Sequence, residues 1–157
     1  SAEALGFRPL RWQAVAWGGA LASFFIRGFG PAVYAAMRRL QLRGFEGGLA
    51  RLEALPFWYL TLAVLIGGTV EEILYRGYAI ARIETLTGSL WLAALIPVAI
   101  FALAHLPLWG PAPALSALFA GAILTLVYLW QRDLAPVVIA HVATDFVGIA
   151  LARRPLR

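Results

Sequence analysis

Six side chains could make up an acid–base centre inside apolar surroundings: the carboxylates and imidazoles of Glu71, Glu72, His105, His141 and Asp145, with Arg76 as an ion-pair partner. His105 and His141 are the only histidines, and both lie in long apolar stretches, as does the bare acidic pair Glu71-Glu72. An ionisable group in such a setting is costly unless it is paired or faces a polar cavity. Three constellations on three separated segments therefore suggest one buried site, and buried carboxylates with imidazoles suit hydrolysis or proton transfer.

Spacing sorts these residues further. Glu72 and Arg76 are i,i+4 in Glu71-Glu72-Ile-Leu-Tyr-Arg76, so they share a helical face and can pair. Glu71 is rotated by about 100° from Glu72 and is the carboxylate left without a local partner. His105 closes Phe101-Ala-Leu-Ala-His105, and Phe101 one turn earlier can brace the imidazole. His141 and Asp145 are again i,i+4, an imidazole steered by a carboxyl, which serves hydrolases and metal sites alike. Each constellation also has a plain structural use, as a hydrogen-bonded or ion-paired group that only packs helices together. Gly67 and Gly68 permit close helix approach one turn before the acids. Two histidines and a glutamate from three helices could also hold Zn²⁺ with an open position for water, although no His-Glu-x-x-His helix is present.

The elements that must position these groups are membrane helices. The 157 residues are 62% hydrophobic and 13% charged, with a mean hydropathy of +0.80, far from the roughly 45–50% apolar usage of soluble domains. A spanning helix needs about 20 mostly apolar residues. Four spans are expected after Pro56, near Phe57–Ile80, Leu90–Leu106, Ala114–Trp130 and Ala135–Ala152. A fifth, weaker one starts near Trp12 and either stops at Ile26 or continues through Arg27 and Gly30-Pro31 towards Met37. Pro107, Pro111 and Pro113 separate two spans, Pro136 suits a first helical turn, and Pro97 predicts a kink. The stretch with Arg38, Arg39, Arg43 and Arg51 reads as an interfacial helix and loop. We thus expect three regions: 1–56, an N-terminal membrane helix with an Arg-rich interfacial segment; 57–152, a core of four membrane helices; and 153–157, a basic tail.

The net charge of +5 comes from arginine without any lysine. The arginines are dispersed between apolar segments, which argues against nucleic acid and for anchoring at lipid headgroups. Lysine-free, Ala/Leu/Arg-rich usage fits GC-rich coding and a prokaryotic cell membrane. With no cysteine, disulfides and thiolate zinc sites are excluded. Ala2 to Leu10 is not the apolar core of a signal peptide, and Ser1 in place of Met leads us to expect a processed or trimmed start.

Glu71-Glu72-x-x-x-Arg76, Phe101-x-x-x-His105 and His141-x-x-x-Asp145, in that order and at membrane-helix spacing, resemble the three motifs of the CPBP family. That family groups the CAAX prenyl endopeptidases with bacteriocin-processing and immunity-associated membrane proteins. The resemblance spans about Phe57 to Ala152. It implies an intramembrane endopeptidase in which Glu71 activates water, His105 is its partner, His141 and residue 145 stabilise the oxyanion, and Glu72 and Arg76 support the site. The family's last motif commonly ends in Asn, whereas this chain has Asp145, and an ionised Asp can only accept a hydrogen bond. The resemblance leans towards catalysis without metal or other cofactor; Zn²⁺ held by Glu71, His105 and His141 is the alternative.

Two expectations conflict with a simple picture. At 1.5 Å per residue, Glu71 and His141 lie near one membrane level, while His105 falls roughly 10 Å or more away; a broken or tilted stretch around Gly77 to Gly88, or the Pro97 kink, would have to close that gap. Arginine bias puts the Arg27–Pro56 loop and the Arg153-Arg154 tail in the cytoplasm, whereas the resemblance implies a site open to the cytoplasm near Arg82 and Arg132. The expected protein is an all-α, polytopic membrane bundle with about five spans and a polar intramembrane cavity. It would act on a peptide or lipid-modified protein substrate among membrane lipids, with oligomeric state left open. The rivals are a non-catalytic membrane binding or immunity protein and a small proton-coupled transporter; no inverted repeat supports the latter.

Overall fold

The computed structural model describes residues 3–52 and 54–151. The expected basic tail, 153–157, and the Ala152 end of the last span lie outside the described residues. Among those described, five helices are long and apolar enough to cross a membrane, and no strand occurs. In chain order they are α1 (Trp12–Arg39), α3 (Phe57–Thr87), α4 (Leu90–Trp109), α5 (Pro111–Gln131) and α6 (Leu134–Leu151); α2 (Glu46–Leu52) is a short helix between the first two. The chain is thus an all-α integral membrane bundle.

Burial departs from that of a soluble protein at both extremes. Arg76 and Glu72 are 1% and 0% exposed, while Trp91 at 79% and Trp58 at 63% face outward. Lipid tails solvate the apolar exterior, while Glu72, Arg76 and His141 are buried beside an apolar core that includes Phe25, Ile80 and Val137.

Several helix ends differ from the sequence expectation. Of its two expected ends α1 takes the longer: it passes Arg27 and Gly30-Pro31 through a π-helical turn, Phe25–Phe29, and runs on to Arg39, two residues beyond Met37. The π turn moves the hydrogen-bond register past Pro31, whose missing N–H would otherwise break the ladder. Arg38 and Arg39 therefore belong to the last turn of a span and not to the interfacial stretch. α3 continues beyond Ile80 to Thr87 through a second π stretch, Ile73–Ala79. Its 31 residues make about 46 Å of helix, longer than a roughly 30 Å hydrocarbon core. Gly88, at φ +66°, stops it in the left-handed conformation and donates its N–H to the Glu84 carbonyl at 2.9 Å. Ser89 then caps α4 by accepting the Leu92 N–H.

α4 does not end before Pro107. It continues through both Pro97 and Pro107 to Trp109. Arg51 of α2 donates to the Pro107 and Leu108 carbonyls, at 3.1 and 3.4 Å, so the last turn keeps its polar groups satisfied. α5 correspondingly starts at Pro111, earlier than Ala114. Asp133 caps α6 by accepting the Ala135 N–H at 3.0 Å. α6 packs against α1, α3 and α5, and α4 against α5, so the three motif-bearing helices share one interior.

Candidate active site

Glu72 organises the centre. Its Oε1 accepts from Arg76 Nη1 at 2.8 Å and lies 2.7 Å from His141 Nδ1. The two donors arrive from different helices, α3 and α6, so this one oxygen ties those spans together. Oε2 has no hydrogen-bond partner among the described residues. The approach depends on Gly68, one turn before Glu72: a Cβ there would meet Val142 Cγ2 at 3.0 Å. Gly67, by contrast, faces open space.

Arg76 is held on every side. Nη2 donates to the Gly121 carbonyl at 3.0 Å, Nε reaches Thr125 Oγ1 at 3.4 Å, and the Phe101 ring lies 4.6 Å from Cζ. A guanidinium in apolar surroundings needs acceptors and π density of this kind, and here each of its three nitrogens has one acceptor. Gly121 is specific to this arrangement, because a Cβ would come within 3.0 Å of Phe101 and 3.2 Å of Arg76 Nη2.

With His141 Nδ1 committed to Glu72, Nε2 is the nitrogen open to chemistry. It faces Asp145 Oδ2 at 3.4 Å and Glu71 Oε2 at 3.7 Å. The His141 ring thus lies between two carboxylates: Asp145 one turn away, as the i,i+4 spacing suggested, and Glu72 on another helix, which spacing along the chain did not show. Glu71 and Asp145 are the more open acids, with side chains 39% and 37% exposed. His105 donates from Nδ1 to the Phe101 carbonyl at 2.7 Å, since a carbonyl can only accept, and this leaves Nε2 bare. Phe101 spaces the two imidazoles, its ring 4.6 Å from that of His105 and 5.9 Å from that of His141. Glu71 lies within electrostatic reach of both.

The expected 10 Å mismatch in depth is absent, and the helix ends explain why. Glu72 lies fifteen residues before Thr87, and His105 lies fifteen after Leu90, on two helices joined by the tight Gly88-Ser89 turn. An antiparallel hairpin puts such positions level. The sequence ruler failed because it ended the earlier span at Ile80.

His105, His141 and Asp145 form the polar wall of a cavity of about 390 Å³. Its other walls are mostly apolar and include Phe25 and Phe29 of α1, Phe45 and Leu49 around α2, and Ala120 of α5. Glu71 does not line it; it sits beyond Nε2 of His141. Nε2 is therefore within reach of Asp145 on the cavity wall and of the partly exposed Glu71 carboxylate, which is not part of that wall. Such a centre can hold a reacting group between an acceptor for a water proton and an imidazole. Sequence reasoning missed the Gly121 carbonyl and Thr125 as the acceptors of Arg76. Their i,i+4 spacing on one face of an apolar helix was the available signal.

The family model described as type II CAAX prenyl endopeptidase Rce1-like matches residues 53–147. The chain belongs to the Rce1-like family. No curated protein and no solved structure matches it. The Rce1-like match agrees with the CPBP resemblance and contains all six candidate residues, so this is a membrane protein of a CAAX-type protease family. α1 and α2 lie outside the matched residues, yet they supply one side of the cavity. Among the described residues, no three His, Cys, Asp or Glu side chains come together as a metal-binding group.

Proposed function

We propose that the protein is an intramembrane endopeptidase that hydrolyses a peptide bond near the membrane surface by means of a water activated by Glu71. The observation that carries this reading is the placing of Glu71 at 3.7 Å from His141 Nε2. Glu71 is the acid of the adjacent pair that is not consumed by Arg76. As base, it takes a proton from water while the oxygen attacks the scissile carbonyl. When the tetrahedral intermediate collapses and the C–N bond breaks, the same proton passes to the leaving amine. His105, braced on the Phe101 carbonyl, would orient the water through its bare Nε2. His141, its ring fixed by Glu72, would face the developing charge. The substrate is a peptide or a lipid-modified protein reached from the bilayer, in keeping with a largely apolar cavity beside a polar wall. A prokaryotic cell membrane suits the lysine-free composition.

The test is cleavage of a membrane-peptide library by purified protein, with Glu71→Gln as control. The variant should lose turnover and keep its fold by circular dichroism and thermal melting. If Glu71→Gln stays active and Glu72→Gln does not, the two acids exchange roles. The same assay after stripping with a strong chelator should retain activity. Stoichiometric zinc, with activity lost on stripping and restored by Zn²⁺, would replace water activation by Glu71 alone with a metal-bound water.

A further inference from the structure

An anionic tetrahedral intermediate needs hydrogen-bond donors aimed at its oxygen, and most donors around this centre are already committed. Arg76 is 1% exposed and spends its nitrogens on Glu72, Gly121 and Thr125. His141 Nδ1 is bound to Glu72, and its Nε2 looks onto two carboxylates. His105 gives its Nδ1 proton to Phe101. The hydroxyls of Ser116 and Thr144, both on the cavity, donate to the Pro113 and Ala140 carbonyls. Asp145 offers only acceptors when ionised.

One neutral donor on the Glu71 side is unspent. Tyr75 is i,i+4 to Glu71, on the same face of α3. Its ring is half-buried and meets the Phe101 ring edge-on at 5.2 Å, beside the same ring that spaces His105 and His141. Its phenol lies within electrostatic reach of Glu71 and Arg76, and it makes no hydrogen bond among the described residues. Tyr34 and Trp109, two other donors on the cavity, pack against Phe45 near α2 instead.

We propose that Tyr75 is a further catalytic residue, whose phenolic O–H donates a hydrogen bond to the oxyanion formed from the scissile carbonyl. This rests on the hydrolytic reading above. Water attacks the carbonyl carbon, its proton goes to Glu71, and the carbonyl π pair moves onto oxygen. Tyr75 holds that oxygen without giving up its proton, and the charge returns to the carbonyl as the C–N bond breaks. The phenol would supply a donation that a carboxylate at position 145 does not.

Tyr75→Phe removes the hydroxyl and keeps the ring edge against Phe101. Turnover of a cleaved membrane peptide should fall by about 10²–10³-fold in kcat, the usual loss for one such donor, with KM and thermal stability unchanged. The affinity for a peptide phosphinate, a tetrahedral anion, should fall in parallel, while that for the matching uncleaved amide should not. Full activity of Tyr75→Phe in an assay where wild type cleaves overturns the role of Tyr75 and leaves the hydrolytic reading intact. A loss shared equally by thermal stability, amide affinity and phosphinate affinity makes the residue structural and also overturns it. Failure of wild type to cleave any peptide removes both claims.

Discussion

Replacing Arg76 by Met tests whether the interior polar cluster is held by charge pairing or by packing. Methionine approximates the aliphatic stem and volume but removes every bond of the guanidinium. Glu72, 0% exposed, would lose its 2.8 Å partner and keep only His141. The Gly121 carbonyl would lose the Arg76 donor at 3.0 Å, and Phe101 the cation at 4.6 Å. Removing one member of a buried pair costs about 3–5 kcal/mol. A carbonyl left unsatisfied, at about 1–3 kcal/mol, and a desolvated cation–π contact of about 2 kcal/mol overlap with that figure and do not simply add. A loss of about 3–5 kcal/mol is a large share of a typical stability of 5–15 kcal/mol, so unfolding in mixed micelles should shift strongly towards lower denaturant. The double variant Glu72→Gln with Arg76→Met decides the cause. It leaves no stranded charge, so it should recover much of the single-variant loss, a coupling visible in a double-mutant cycle. A single-variant loss below about 1 kcal/mol, or losses that add in the double variant, would refute charge pairing as the source of stability.

Two further outcomes follow from the same geometry. Gly121→Ala places a methyl within 3.0 Å of Phe101 and 3.2 Å of Arg76 Nη2, so it should cost about 1–3 kcal/mol by overpacking, measured by thermal melting; an unchanged melting temperature would show that Phe101 yields freely. Asp145→Asn keeps an acceptor 3.4 Å from His141 Nε2 and adds donors, so peptide cleavage should persist, whereas Asp145→Ala should lose it; equal inactivity of both would mean that a carboxylate behind His141 is what the site requires.

The sequence by itself determined the class and the cast. Apolar runs of the right length announced membrane helices, because a span needs about 20 such residues and five are found among the described residues. The same logic singled out Glu71, Glu72, Arg76, His105, His141 and Asp145, since ionisable groups in apolar runs are costly and therefore rare. The i,i+4 rule also foretold the Glu72–Arg76 pair. Helix ends were less legible. π turns at Phe25–Phe29 and Ile73–Ala79 lie where one helix continues through Gly30-Pro31, the longer of its two expected courses, and another runs past Ile80 to Thr87, and Arg51 supports a turn beyond Pro107. Which groups meet across helices was decided only by tertiary structure. Sequence spacing shows partners one turn apart, and it therefore paired His141 with Asp145, which the structure keeps at 3.4 Å on Nε2; packing at Gly68 brings α3 against α6 and adds Glu72 on Nδ1, sixty-nine positions away. The level of His105 depended likewise on where α3 turns, at Gly88 and not at Ile80. Such contacts are set by helix length, register and close approach, quantities that local periodicity does not encode.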